Sequence, residues 1–165
     1  MTATYEKIAT STISGSSTSQ VTFSSISGSY TDIVIVFNGG SVSGPVDVTM
    51  QVNSDTGSNY SSTDLNGDGS SATSNRLSNR TQFNCNRAAY ISNNLNSNQI
   101  IQLLNYSNAT TYKTFLSRAN NAGVATDTTV GLWRNTAAIN AIKLFVTADN
   151  FRDGSTLTLY GIKAE

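Results

Sequence analysis

The sequence predicts an all-β domain, an antiparallel β-sandwich of jelly-roll type, and three observations support this. Apolar and polar residues alternate with period two, as in "VDVTMQV" at residues 46–52. Turn-forming Gly, Asn, Asp and Ser interrupt the alternation every ~10–15 residues and leave roughly ten candidate strands. Ser, Thr and Asn are abundant, and these residues compete with helix formation. A single sandwich domain, residues 1–165, accounts for the whole chain.

The first half of the chain predicts four strands. "YEKIAT" (5–10) alternates, and "QVTFSSI" (20–26) places Val21, Phe23 and Ile26 near one face. The apolar run at residues 33–37 ends in Gly39-Gly40 and predicts a central strand buried on both sides. "PVDVTMQVN" (45–53) places valines and Met50 on one face, and Pro45 stands at the strand start, where its missing N–H does least harm.

The second half continues the pattern. Residues 98–106 and 110–119 flank the polar turn "SNAT" and predict a hairpin, and residues 127–135 predict a short strand ending near Trp133. Residues 138–147 fit a helix or a strand, and their β-branched content favours a strand. In residues 154–165, Leu157 and Leu159 alternate with threonines. The Ser-, Asn- and Gly-rich middle, residues 54–98, predicts short strands and long loops.

Composition excludes several classes of function. The formal net charge is zero, which argues against binding nucleic acid or an anionic membrane. The chain has no histidine, so Ser-His-Asp, Cys-His and His-zinc chemistry are excluded. No signal peptide is visible, and no apolar run approaches the ~18 residues of a membrane span. The single cysteine, Cys85, cannot form an internal disulfide, and a small, half-buried residue is favoured over a reactive thiol.

The segment "DLNGDGSSATSN", residues 64–75, resembles a calcium-binding loop. Asp64, Asn66, Asp68 and Gly69 occupy positions 1, 3, 5 and 6 of a twelve-residue loop. Position 12 is Asn75 instead of the usual bidentate Glu, and the flanking segments are not helical in pattern. Asn66-Gly67 and Asp68-Gly69 are also strong turn dipeptides, so a hairpin turn is favoured over calcium binding.

Other candidate groups are weak. The two glutamates, Glu6 and Glu165, lie at the termini, and the sequence-clustered aspartates Asp55, Asp64 and Asp68 stand in turn contexts, so a glycosidase pair is disfavoured. A sugar-binding platform would use aromatic side chains, although core packing is the favoured role of Trp133. The candidate platform residues are Trp133, Tyr60, Tyr90, Tyr106 and Tyr112. Three arginines, Arg76, Arg80 and Arg87, favour a solvated face or a subunit contact. We therefore predict no enzyme, and no catalytic, cofactor-binding or metal-binding residue.

Five blocks of the sequence follow one another along the chain. The opening block is "TYEKIATSTISGSSTSQVTFSSISGSYTDIVIV", and the next is "MQVNSDTGSNYSSTDLNGDGSSATS". The later blocks are "NYSNATTYKTFLSRAN", "VGLWRNTAAINAIKLF" and "FRDGSTLTLYGIKAE". Together they resemble a domain of virion structural proteins from tailed bacteriophages, notably those of marine cyanobacteria. The resemblance covers nearly the whole chain in order, and it implies an all-β module of tail fibres, capsid-exposed fibres or decoration proteins.

The resemblance implies a role in the virion, assembled in the host cytoplasm. The chain begins with its own Met1 and lacks the anchor and stalk of a long fibre, which favours a capsid decoration protein that binds and reinforces the shell. The expected partners are capsid or tail subunits and further copies of the chain. The alternative is a tail-fibre or receptor-binding module that recognises host glycan through the loops of residues 54–98, with Tyr60 and Tyr90 in contact.

Overall fold

The computed structural model describes residues 4–163, and its regular structure there is entirely β-strand. The described strands are β1 (Tyr5–Thr12), β2 (Gln20–Phe23), β3 (Asp32–Gly39), β4 (Val48–Val52), β5 (Tyr60–Gly67), β6 (Ala72–Arg80), β7 (Phe83–Asn84), β8 (Ser97–Leu104), β9 (Lys113–Asn121), β10 (Ala125–Trp133), β11 (Ile142–Val146) and β12 (Thr156–Ile162).

The strands form two antiparallel sheets packed as a sandwich. The large sheet has eight strands in the order β1-β12-β3-β8-β9-β10-β5-β6, and the small sheet has four in the order β2-β11-β4-β7. Alternate residues of each strand point between the sheets. They form one apolar core that includes Ile35, Phe37, Leu157, Ile101, Phe115, Trp133 and Tyr60 from the large sheet and Val21, Leu144, Met50 and Phe83 from the small one.

The strands predicted in the first half are present, with one correction to their burial. Residues 33–37 lie within β3, a central strand between β12 and β8. The expectation of burial on both sides is wrong at Val36, which is 36% exposed, whereas Ile35 and Phe37 are fully buried. Val36 points away from the small sheet. Val34 lies on the same outward face and is only 6% exposed, so the expectation holds at that position.

The strands predicted in the second half are present, although β10, which was expected to be short, has nine residues. Strands β8 and β9 pair as the expected hairpin around residues 105–112. Residues 142–146 form strand β11 at the centre of the small sheet, which decides between helix and strand. In β12, Leu157 and Leu159 are buried, as the alternation predicts.

The prediction of short strands in residues 54–98 is wrong for β5 and β6. These strands have eight and nine residues and form a long hairpin at one edge of the large sheet. One face of β5 and most of β6 is exposed, so serines and threonines suffice there and the apolar alternation is weak. The expectation of long loops holds better between Thr81 and Asn96, where the only named strand is the two-residue β7.

Candidate functional site: the outer face of the large sheet and the polar interior

The outer face of the large sheet carries a band of exposed apolar side chains. Seven residues on strands β3, β8, β9, β10 and β5 point away from the small sheet, and together we call them the outer band: Val36, Leu65, Ile100, Leu104, Leu116, Val130 and Leu132. Leu65 and Val130 are 59% and 54% exposed, and Leu116 and Leu132 are half-buried. Five of the eight large apolar residues that are exposed in residues 4–163 belong to this band. The outer face of the large sheet therefore carries most of the exposed large apolar side chains of the described residues.

The strand register aligns the outer band across the sheet. Val36 lies opposite Ile100, and Leu116 lies opposite Val130. Directly paired residues in antiparallel strands share a face and have Cβ atoms about 5 Å apart. Two pairs of the outer band are thus in direct cross-strand contact. Polar residues lie between other members: Arg118 and Thr128 separate Ile100 from Leu65, and Thr114 separates Leu104 from Leu132.

Two arginines border the outer band, and each lines a shallow groove. Arg118 pairs with Ile100 and with Thr128, and the groove beside it has a volume of about 350 Å³. Arg76 pairs with Thr63, and its groove, which Val130 also lines, has a volume of about 340 Å³. Both side chains are exposed, and among residues 4–163 neither forms an ion pair.

The other two candidate arginines lie elsewhere. Arg80 is exposed at the end of edge strand β6, opposite Tyr60. Arg87 lies in the segment that follows β7, where its Nε is 4.0 Å from Asp64 Oδ1. The three arginines that were expected on a solvated face or at a subunit contact thus lie in three different places. Of these, only Arg76 lies beside the outer band.

The calcium-like segment forms a hairpin whose turn is at residues 68–71. The Asp68 carboxylate accepts hydrogen bonds from the backbone N–H of Ser71 and Ser70 at 2.7 and 2.9 Å. These bonds lower the pKa of Asp68. Gly69 has a φ of +88°, which glycine adopts readily. Of the two turn dipeptides, Asp68-Gly69 forms the turn, whereas Asn66-Gly67 ends strand β5.

The two aspartates of that segment have different surroundings. Asp64 is 1% exposed on the inner face of β5, and Asn66 donates a hydrogen bond to its carboxylate at 3.1 Å. Asp68 is exposed at the tip of the hairpin. Within residues 4–163, no group of three or more His, Cys, Asp and Glu side chains is placed to hold a metal ion.

The interior below β9, β10 and β5 is polar, and Asp127 is its organising residue. Asp127 is 4% exposed on β10, and its Oδ2 accepts hydrogen bonds from three successive backbone N–H groups. The donors are Arg87, Ala88 and Ala89, at 2.7, 2.8 and 2.8 Å. Three charge-assisted bonds to one oxygen hold the segment after β7 against the large sheet. Sequence reasoning missed this residue, although period two places Asp127 on the same face of the strand as Trp133, which was expected in the core.

A second carboxylate, Asp47, lies near this interior. Burial raises the pKa of Asp47 to about 6, and the charges of Asp127 and Asp64 add to the rise while Arg87 opposes it. The environment thus disfavours the charged form of Asp47.

The candidate aromatic platform is mostly part of the core. Trp133 is 1% exposed, as predicted, and its ring stacks on Tyr60 with centroids 6.5 Å apart. Tyr60 and Tyr106 are fully buried, so neither can stack on a glycan, and the expected contact role of Tyr60 is wrong. Tyr90 is half-buried, and Tyr112 is 54% exposed in the loop between β8 and β9.

The remaining candidates have structural partners. Asp55 accepts a hydrogen bond from Trp133 Nε1 at 2.6 Å. Glu6 forms an ion pair of 2.7 Å with Lys163, and Glu165 lies outside the described residues. Cys85 is fully buried, which is more than the half burial expected, and burial raises the pKa of its thiol.

Comparisons with known proteins add no assignment. No protein-family model matches the chain, and no curated protein matches it. Among residues 4–163, no helix is long and apolar enough to cross a membrane.

Proposed function

We propose that this chain is a structural protein of a tailed-phage particle, a capsid decoration protein that binds the outside of the shell and reinforces it. The observation that carries the proposal is the uncovered outer band on a rigid eight-stranded sheet. Exposed apolar surface of this extent marks an interaction site in a stable protein. The resemblance of the sequence blocks to virion structural domains supports the choice of assembly.

The strand order supports a jelly-roll connectivity, which is part of the same proposal. Strands in the orders β1-β12-β3-β8 and β2-β11-β4-β7 correspond to the two four-stranded sheets of a jelly roll. The hairpins β5–β6 and β9–β10 then extend the first of these sheets by four strands. Jelly rolls occur in viral capsid domains and also in lectins, so the fold is an analogy and the site must carry the function.

In the proposed mechanism the protein acts by adhesion and uses no catalytic group. The outer band covers apolar surface of the shell, and the small sheet lies on the side away from the shell. The partners are capsid subunits and other copies of the chain arranged by the symmetry of the particle. Most of the contact is apolar or hydroxyl-rich, so salt weakens only the part of the attachment that depends on charge.

Cryo-electron microscopy of the intact particle tests the proposal. We expect density for this chain repeated over the icosahedral shell, with the large sheet facing the capsid. Density confined to the tail would replace the decoration role with host recognition, and the loop that carries Tyr112 would be the first place to look for a bound glycan. A particle without the chain would refute a role in the virion. Sustained release of sugar from host polysaccharide would refute the non-enzymatic assignment.

A further inference from the structure

The outer band is flanked by positive charge. On the outward positions of the large sheet, as far as the structure describes it, the charged residues are Lys7, Asp32, Arg76 and Arg118. Asp32 lies at the end of β3 and already accepts a hydrogen bond from the backbone N–H of Asn105 at 2.8 Å. Arg76 and Arg118, in contrast, form no ion pair with any of the described residues.

The size of this face matches one side of a specific protein interface. Seven inter-strand spacings of about 4.8 Å and strands of about eight residues at about 3.3 Å per residue give the whole outer face about 900 Å². The five strands that carry the outer band take a little over half of it. A standard interface covers about 800 Å² on each partner. The face is therefore large enough to be one complete docking surface.

Charge decides between the possible occupants of the face. A second copy packed on it would bring its own Arg76 and Arg118 against a surface that is already positive, with only the engaged Asp32 to oppose them. Like charges that lose solvent in an interface destabilise it. A surface with carboxylates gains charge-assisted hydrogen bonds to both guanidinium groups instead. Each arginine also lines a groove that has room for a side chain of the partner.

We propose that the outer band is the docking surface for a shell protein whose own surface is apolar and carries carboxylates that reach Arg76 and Arg118. The proposal rests on the proposed virion function and adds the chemistry of the partner. Leu65 and Val130 provide the apolar contact because they are the most exposed residues of the band. Arg118 fixes the orientation, because its planar guanidinium binds a carboxylate in a defined geometry.

The test uses the full-length protein and phage heads produced by a phage whose genome lacks the gene for this chain. Binding of the wild type to these heads is compared with that of Val130→Asp, Arg118→Glu and Arg118→Lys. Thr22→Asp is the matched control, since Thr22 is exposed on the small sheet. Thermal melts verify that each variant is folded, and sedimentation gives its oligomeric state.

We expect Val130→Asp and Arg118→Glu each to weaken binding at least tenfold, because both place a carboxylate against an acidic, apolar partner. Arg118→Lys should lose less, and Thr22→Asp should bind like the wild type. The deficit of Arg118→Glu should shrink at high salt, where charges are screened. A folded Val130→Asp variant that binds heads like the wild type would show that another surface docks, although the virion function would stand.

Other outcomes also overturn the proposal. If Val130→Asp changes only the oligomeric state and leaves head binding intact, the outer band is an interface between copies of the chain. If Arg118→Glu binds more tightly than the wild type, the partner is basic. If the wild type fails to bind heads and is not found on native particles, the proposed function itself fails.

Discussion

Replacing Gly131 by alanine tests how tightly the two sheets are packed. A Cβ at Gly131 would lie 2.3 Å from Cε2 and 2.5 Å from Cδ2 of Phe83. Ordinary contact between carbon atoms needs about 3.5–4.0 Å, so the ring would have to move by about 1.5 Å. Phe83 is 1% exposed, and its ring centroid lies 5.3 Å from that of Phe115. The ring has no free space into which it can move.

The expected cost is at the upper end of the range for overpacked cores. Extra carbon atoms in a well-packed core cost about 1–3 kcal/mol. Because the clash involves a ring that is held between the sheets, we expect about 2–3 kcal/mol for Gly131→Ala. For a protein of this size each kcal/mol lowers the Tm by about 2–4 °C, so the melting temperature should fall by about 4–12 °C.

Thermal and urea denaturation followed by circular dichroism would measure this effect. Gly44→Ala is the control, because a Cβ at Gly44 meets nothing within 4 Å, and its Tm should not fall. A second comparison is Gly161→Ala, whose Cβ would meet the ring of the half-buried Tyr30; that ring can turn towards solvent, so the loss should be smaller. In a Phe83→Leu background the cost of Gly131→Ala should shrink. An unchanged Tm for Gly131→Ala, or an equal cost in both backgrounds, would refute the packing argument.

Three further predictions concern buried polar groups. Since the pKa of Asp47 rises from 3.8 to about 6 on folding, the folded state binds more protons between these pH values, and stability should fall as pH rises from about 4 to about 6. Asp47→Asn should flatten that slope, measured by urea denaturation at several pH values, and an unchanged slope would exclude Asp47 as its source. Trp133→Phe should lower the free energy of unfolding by about 2–3 kcal/mol, because it removes buried surface and the hydrogen bond to Asp55. A decrease below about 0.5 kcal/mol in the same assay would contradict the core role of Trp133. Cys85 should resist a maleimide in the native protein and react in urea, whereas complete labelling within minutes without denaturant would show that its site opens.

The fold class was predictable because alternate residues of most strands are apolar and face the core. Alternation in β4 and β12 locates the core residues directly, and the β-branched content of β11 correctly favours strand. The β5–β6 hairpin was harder to predict, because Leu77 is the only large apolar residue in β6 and it is only half-buried. Where burial is slight, residue pattern carries little information about strand length.

Pairs of adjacent large apolar residues in the sequence indicate the outer band, although a search for simple alternation does not find them. Consecutive residues in a strand point to opposite faces, so two adjacent large apolar residues place one on each face. Four such doublets occur in β8, β9 and β10: Ile100-Ile101, Leu103-Leu104, Phe115-Leu116 and Leu132-Trp133. In each doublet one residue is buried in the core and its neighbour belongs to the outer band. A sheet with one solvated face needs no second apolar residue, so doublets in successive strands indicate a second contact surface.

The hydrogen-bond partners of Asp127 could not be predicted from the sequence for a different reason. The three N–H groups that bind Asp127 come from residues about 40 positions away. Only the folded topology brings the segment after β7 to the inner face of β10, so local pattern cannot reveal the pairing. The calcium-like spacing of Asp64 and Asp68 is the converse case, since the two residues are close in sequence and yet one is buried in a strand and the other exposed in a turn.

The outer band and its arginines together explain how a chain without net charge could present an apolar face and remain specific. Net charge normally keeps proteins apart, and here it is zero, so the exposed apolar surface would favour indiscriminate association. Charged residues placed on an exposed sheet face oppose contact between like copies. Arg118 lies within the band and Arg76 at its border, so both repel a second copy and attract a surface with carboxylates. In the proposed docking, the same two side chains disfavour a second copy and strengthen binding to a surface with carboxylates, so one device serves both affinity and specificity.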